Sequence, residues 1–143
     1  MTRHVSSVAL MVVGVFCSRA VFAQTSTSSA SLGTVHLTRA VLANGQPLAA
    51  GTYQVRVTGD VPAPVVGQSP EGERWVEFTR GGAVSGKEVA TVISSGDIGS
   101  IAKGPRPSVG APRVDVLKGG EYVRVWIVQG GRNYLINLRA SAR

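Results

Sequence analysis

The chemical motif that the chain approaches most closely is a phosphate-binding loop, in the stretch Gly-Gly-Ala-Val-Ser-Gly-Lys-Glu at residues 81–88. A working loop ends in Gly-Lys followed by Ser or Thr, whose hydroxyl binds Mg²⁺, and it opens a helix that holds the phosphates. Here Glu88 takes the place of that hydroxyl, and residues 89–93 have the β-branched composition of a strand. We therefore predict a glycine-rich hairpin turn and no nucleotide cofactor.

The chain contains few residues suited to hydrolytic or metal chemistry. His36 is the only histidine after residue 23, and no Gly-x-Ser-x-Gly turn is present to carry a nucleophilic serine. Asp60, Glu71 and Glu73 lie in one loop-rich stretch but lack the spacing of a calcium loop. We predict a protein without catalytic residues, metal or cofactor. A glycan-directed hydrolase is the alternative, because two of the eight acidic residues could face each other across a glycosidic bond.

Aromatic and arginine side chains alternate with apolar ones near the C-terminus. If Val123, Val125 and Ile127 face the core, the opposite face of this strand and its neighbour carries five candidate contact residues, here called the outer strip: Tyr122, Arg124, Trp126, Asn137 and Arg139. Such a strip can bind a sugar by stacking or a protein partner through its aromatic and arginine residues. The alternative is that Trp126 and Tyr122 are covered by a loop or by a second sheet.

The first 23 residues have the pattern of a secretory signal peptide. Arg3 and His4 precede an apolar run at residues 8–16, and residues 21–23, Val-Phe-Ala, form a cleavage site. The apolar run is shorter than the roughly 20 residues that a membrane-spanning helix needs, so we predict no transmembrane segment after cleavage. Residues 24–33 are predicted to be a flexible tether and residues 34–143 the folded domain, located in the periplasm or secreted. Cys17, the single cysteine, would leave with the leader; its lipid modification is the alternative.

The formal net charge of the chain is +7. Removing the leader with Arg3 and Arg19 leaves 13 basic and 8 acidic side chains, a net charge of +5. The basic residues are spread along the chain rather than gathered on one element, which does not predict nucleic-acid binding. Two interpretations remain open, a solvated basic face and a surface for a polyanion or an acidic envelope component.

Alternating apolar and polar residues predict a succession of strands, and no segment longer than a turn has the 3.6-residue period of a helix. The clearest group is a three-stranded meander at residues 113–117, 122–128 and 134–138, and residues 39–43 could instead form a helical turn. Glycine and proline predict loops at residues 59–73 and 94–112. We predict that the longer of these loops is disordered or loosely attached, with a functional loop as the alternative.

The clearest turn into a strand is Leu-Ala-Ala-Gly-Thr-Tyr at residues 48–53, preceded by Pro47, which is placed in the connection because it has no amide donor. Leu48 is predicted to fill the core from that connection. The stretch resembles the Leu-Pro-Ala-Gly-Thr-Tyr segment of exported bacterial β-sandwich proteins, and more distantly transthyretin-like and carboxypeptidase-regulatory-like modules, although Ala49 replaces the proline. The resemblance implies an Ig-like or prealbumin-like sandwich that binds or supports, with no active-site residues to carry over.

The sequence therefore predicts a single all-β domain, an antiparallel sandwich of about seven strands in two packed sheets. The function expected is a non-catalytic structural or binding module in the periplasm or cell envelope, with a carbohydrate-binding or envelope-anchoring module as the alternative. An envelope protein, a glycan and a polyanion are the candidate partners.

Overall fold

The computed structural model of the chain describes residues 29–67 and 72–142. In these ranges nine strands and one four-residue helix form, and no helix is long and apolar enough to cross a membrane. The elements are β1 Ala30–Leu37, β2 Val41–Ala43, β3 Gln46–Leu48, β4 Gly51–Val57, β5 Glu73–Arg80, β6 Ala83–Ser94, α1 Ile98–Ile101, β7 Arg113–Val116, β8 Tyr122–Gln129 and β9 Arg132–Ala140.

All nine strands belong to one antiparallel sheet, which curls into a half-barrel. Seven strands follow one another in the order β1-β4-β5-β6-β9-β8-β7, and β2 pairs with the last residues of β9 and carries β3 on its other side. The strands at the two ends of the sheet approach each other, because β1 lies beside β7 and β8. The curled sheet thereby surrounds its own core.

The prediction of an all-β domain is confirmed, but the described residues form one curled sheet where two packed sheets were expected. The physical reason lies in β9, which is hydrogen-bonded to β6 along one edge and to β8 along the other. The early and late strands are therefore joined through shared hydrogen bonds rather than stacked face to face. An alternating pattern shows only that one face is buried, and a sheet that curls buries that face as well as a second sheet does.

The concave face of the sheet holds the main core. Its largest fully buried side chains include Phe78. Val123, Val125 and Ile127 of β8 face this core as predicted, and Tyr134, Ile136 and Leu138 line it from β9. Leu48 is 1% exposed and fills the core from the β2–β3 hairpin, as expected from the sequence. Burial of these apolar side chains is the main stabilising contribution in a described fold that contains no cysteine.

The stretch at residues 48–53 packs against the main core and against Arg80. Tyr53 is 3% exposed, packs edge-on against Phe78, and donates a hydrogen bond from its hydroxyl to the Ala49 carbonyl oxygen at 2.8 Å. The Arg80 guanidinium lies over the Tyr53 ring, 4.3 Å from its centre. Gly51 has φ +141°, and a Cβ there would collide with the Arg80 guanidinium. Leu48, Gly51 and Tyr53 of the Leu-x-Ala-Gly-x-Tyr pattern thus each have a packing role.

The Asn44-Gly45 dipeptide is typical of a turn, but the two short strands that it joins in a hairpin at residues 41–48 were not expected from the sequence. Asn44 and Gly45 both have positive φ, which is the geometry of a two-residue hairpin turn. Pro47 pairs with Leu42 in β3 rather than lying in a connection, and proline is tolerated there because β3 is at the edge of the sheet. The backbone amide of Asn44 donates to the Glu88 carboxylate at 2.6 Å, which ties the hairpin to β6.

The folded domain begins earlier than the boundary at Thr34 that the sequence predicted. Strand β1 starts at Ala30, and the Leu32 side chain is 2% exposed within the main core. The run of Ser, Thr and Ala concealed this start because Leu32 is the single large apolar residue in it. The predicted signal peptide at residues 1–23 and the first half of the predicted tether, residues 24–28, lie outside the described residues.

The stretch that resembles a phosphate-binding loop is a hairpin between β5 and β6, as predicted. Gly81 and Gly82 make the turn, and a bulge follows in which Phe78 faces Gly86 while Thr79 faces Val84. Lys87, the residue that would contact a phosphate, instead pairs with Glu77 across the two strands. No helix begins at this glycine-rich segment, so it lacks the amide cradle of a nucleotide site.

Glu77 is the centre of a charged row on the convex face, and we predict that it makes stability depend on pH. Its carboxylate accepts one hydrogen bond from Lys87 Nζ and one from Arg56 Nε, each at 2.9 Å. The Lys87 contact, aided by Arg56 and opposed by burial, lowers the pKa of Glu77. The ionised Glu77 carboxylate therefore adds its full stabilisation above about pH 4.3, the ordinary pKa of glutamate. This stabilisation is lost as the pH falls through the lower pKa that Glu77 has in the folded protein.

Glu77→Gln is expected to lower the free energy of unfolding by about 1 kcal/mol at pH 7, because both partners are partly solvated. Urea denaturation of both proteins from pH 7 to pH 3 measures the effect, and the difference between them should shrink below about pH 4.3. Arg56→Met and Lys87→Met should each lose part of the free energy of unfolding that Glu77→Gln loses. A difference that stays constant down to pH 3 would contradict the assignment.

Candidate functional site

The outer strip lies on the convex face of β8 and β9, as the register of these strands requires. Tyr122 is directly opposite Arg139, and Arg124 is opposite Asn137. Arg124 Nε donates to Asn137 Oδ1 at 3.2 Å. Tyr122 is 44% exposed, Asn137 and Arg139 are exposed, and Arg124 is half-buried. Four of the five residues of the outer strip therefore share one accessible surface.

Trp126 is the exception, since it is 2% exposed. Residues 95–112, between β6 and β7, cross the convex face above Trp126, and we call them the covering segment. Trp126 therefore packs in a second apolar cluster with Ile93, Ile98, Ala102, Val128 and Leu135. The prediction that this segment is disordered or loosely attached is therefore wrong: it contains α1 and two buried residues. With only two apolar anchors and no periodicity, it had no pattern from which its attachment could be predicted.

The indole of Trp126 is also held by a polar network. Its Nε1–H donates to Asn133 Oδ1 at 3.0 Å, and Asn133 Nδ2 donates to the Ile93 carbonyl oxygen at 3.3 Å. Asn133 is 0% exposed, so these hydrogen bonds satisfy an amide that would otherwise be costly to bury. Trp126 is thus a structural residue that fixes the covering segment to the sheet.

A groove of about 360 Å³ lies between the covering segment and β7, directly beside Arg124. We call it the outer groove; its lining includes Ile101, Lys103, Arg113, Asp115, Arg124 and Trp126. Three of these side chains are cationic and one is a carboxylate. The groove is continuous with the outer strip through Arg124, which belongs to both.

The charges of the outer groove are only partly compensated. Arg113 Nε donates to Asp115 at 2.9 Å, and Arg113 Nη1 donates to the Pro105 carbonyl oxygen at 3.0 Å, which holds the end of the covering segment against β7. Arg124 contacts Asn137, a neutral amide. Within the described residues Lys103 forms no ion pair. Lys103 and Arg124 therefore provide uncompensated positive charge in the groove.

The other chemically reactive residues described lie outside the outer groove; of these, Asp60 and Glu77 line one separate groove together with Arg56 and Lys87. His36 Nδ1 lies 3.1 Å from the Thr52 hydroxyl on an exposed strand. Among the residues that the structure describes, no three His, Cys, Asp or Glu side chains form a group that could hold a metal ion. Asp60 and Glu73 lie apart from the outer groove, and Glu71 lies outside the described residues.

Sequence reasoning identified the outer strip but not the outer groove. Arg113 and Asp115 could have been added from the meander, because they lie opposite Trp126 and Arg124 on the same face. Lys103 had no such signal, since its position depends on how α1 packs. No family model, curated protein or solved structure matches the chain, so the geometry of this surface carries the functional argument.

Proposed function

We propose that the protein is an exported, non-catalytic β-module that binds a component of the bacterial cell envelope. The observation that carries the proposal is the accessible cationic surface formed by the outer strip and the outer groove. Lys103, Arg124 and Arg139 project there beside the exposed Tyr122, and the one carboxylate of the groove, Asp115, is paired with Arg113. Surfaces of this kind attract anionic partners and hold them through arginine and aromatic side chains.

The glycan-directed hydrolase that the sequence left open is less well supported by this surface. Glycoside hydrolysis uses two carboxyl groups on opposite sides of the bond that is cleaved. Of the residues described at the outer groove, Asp115 supplies the one carboxylate, and that carboxylate forms an ion pair with Arg113. A surface with one engaged acid and several cations is suited to binding and holding an anion.

The relation to exported Leu-Pro-Ala-Gly-Thr-Tyr proteins and to Ig-like or prealbumin-like sandwiches is part of the same proposal. Its support is the packing of Leu48, Gly51 and Tyr53, which explains why such a pattern would recur as a way to begin a strand. These residues do not line the outer groove. The relation therefore concerns the fold and export, and the proposed binding surface is argued independently of it.

The test is sedimentation of residues 24–143 with washed bacterial envelope fragments. We expect the double variant Arg124→Ala/Arg139→Ala to bind about tenfold or more weakly, because each arginine contributes a charge-assisted contact. Arg132→Ala is the control: it removes an exposed arginine at the opposite end of β9 and should bind as wild type. The proposal fails if Arg132→Ala loses as much binding as the double variant. It also fails if the wild-type protein sediments no more with the fragments than it does without them.

A further inference from the structure

From the groups around the outer groove we infer the chemical class of the ligand: a linear polysaccharide whose sugars carry carboxylates. The inference rests on the proposed function and names what the same surface binds. In this arrangement the Tyr122 ring stacks on one sugar, while Arg124 and Lys103 bind the carboxylate of a neighbouring sugar at the mouth of the outer groove. Three properties of the surface support it, namely its charge, its exposed ring and the distance between them.

The charge is arranged to accept an oxyanion at one point. Arg124 uses Nε to hold Asn137 Oδ1, and in the described structure no hydrogen bond is made by its two terminal nitrogens. A guanidinium edge presents two parallel N–H groups, which match the two oxygens of a carboxylate. Lys103 lines the same groove from the covering segment, so the anion is approached by cations from two sides.

The groups beside these cations fit a sugar ring. Tyr122 is 44% exposed on the row next to Arg124, and an exposed aromatic face stacks on the C–H face of a sugar. The Asn137 side chain retains an amide donor for a sugar hydroxyl, because its Oδ1 is the atom that Arg124 binds. Ile101 and Val116, which are 51% and 49% exposed, add apolar surface to the groove.

The separation of these groups favours a chain of sugars over a single one. Tyr122 and Arg124 are two residues apart on β8, which places them about 7 Å apart along the strand. The outer groove runs along β7 from Leu117, which is hydrogen-bonded to Tyr122, to Arg113, which lies opposite Trp126. A ligand that contacts the Tyr122 ring, Arg124 and the far end of the groove must extend along the strand, as consecutive units of a linear polysaccharide do.

A nucleic acid fits this surface less well. Tight binding to its backbone takes many phosphate contacts along an extended cationic track. Two further cations on the convex face, Arg56 and Lys87, are paired with Glu77 and so add no free charge to such a track. The short cationic groove with one exposed aromatic ring matches one or two carboxylates on a sugar chain.

Titration calorimetry of residues 24–143 with polygalacturonate tests the inference, with fully methyl-esterified polygalacturonate and dextran sulfate as comparison ligands. We expect polygalacturonate to bind and its methyl ester, which keeps the ring but not the charge, to bind at least tenfold more weakly. Tyr122→Ala should weaken polygalacturonate binding about fivefold, whereas Tyr122→Phe, which keeps the ring, should bind within twofold of wild type. Dextran sulfate should bind no more tightly than polygalacturonate.

Other outcomes overturn the inference in distinguishable ways. Equal binding of the methyl ester would identify a site for neutral sugars, and tighter binding of dextran sulfate with no effect of Tyr122→Ala would identify a general polyanion surface. If polygalacturonate does not bind while Arg124→Ala/Arg139→Ala still abolishes sedimentation with envelope fragments, the proposed function stands and the ligand class is wrong. If neither assay responds, both fail.

Discussion

Replacing Trp126 with alanine is expected to lower the free energy of unfolding by about 3 to 5 kcal/mol, the range for truncating a large buried aromatic residue. The indole is the centre of the second apolar cluster, where it contacts the covering segment through Ile98 and Ala102. Its loss also leaves Asn133, which is fully buried, without the donor that its Oδ1 accepts. Urea denaturation measures the change, which is a large part of the stability of a small domain.

The same substitution should release the covering segment before the whole domain unfolds. Trypsin cleavage after Lys103, in the exposed part of that segment, is therefore expected to accelerate in Trp126→Ala, because local opening costs less once α1 has lost its packing partner. Trp126→Phe retains most of the apolar contact and provides a milder variant if the alanine form does not fold. The matched control is Tyr122→Ala on the same strand face, which should change stability by less than about 0.5 kcal/mol. Equal effects at the two positions would contradict the burial of Trp126.

Tyr53→Ala is the second large effect that we expect, also about 3 to 5 kcal/mol. The ring is buried against Phe78 and lies beneath the Arg80 guanidinium, and its hydroxyl donates a hydrogen bond to the Ala49 carbonyl oxygen. Truncation removes these contacts together and leaves the Ala49 carbonyl without its donor. Thermal or urea unfolding measures the loss, and binding to envelope fragments at a temperature where the variant is folded should be unchanged.

The component effects can be separated with two conservative variants. Tyr53→Phe removes only the hydroxyl and its hydrogen bond to Ala49, which should lower the free energy of unfolding by about 1 kcal/mol. Arg80→Lys keeps the charge but replaces the planar group over the ring, at an exposed position where a loss of about 0.5 to 1 kcal/mol is expected. If Tyr53→Ala were no more harmful than Tyr53→Phe, the ring would not be part of the core.

Much of the fold followed from local pattern. The inward row of β8, Val123, Val125 and Ile127, was predicted because alternation on a strand has one physical cause, a buried face. The hairpin at residues 81–88 was predicted because two adjacent glycines and a following β-branched run suit a turn between strands. The β2–β3 hairpin was missed because its strands have three residues each, too short for an alternating pattern to be seen.

The candidate site was predicted only in part. Tyr122, Arg124, Asn137 and Arg139 share an accessible face because strand register alone places them there. Trp126 has the same orientation, but its exposure depends on a segment about 25 residues earlier in the chain that folds over it. Arg113, Asp115 and Lys103 form the outer groove through that same packing. Contacts between distant segments leave little trace in local composition, so these features required the three-dimensional structure.

The sequence by itself determined that this protein is all-β, that Val123, Val125 and Ile127 face the core, and that the outer-strip residues lie on the opposite face, because these depend on the two-residue period of a strand. The tertiary structure alone decided that the strands form one curled sheet, that Trp126 is covered and that a cationic groove lies beside Arg124. Those outcomes depend on which strand edges pair and on where a non-repetitive segment packs, and both are set by the free energy of the whole chain rather than by neighbouring residues.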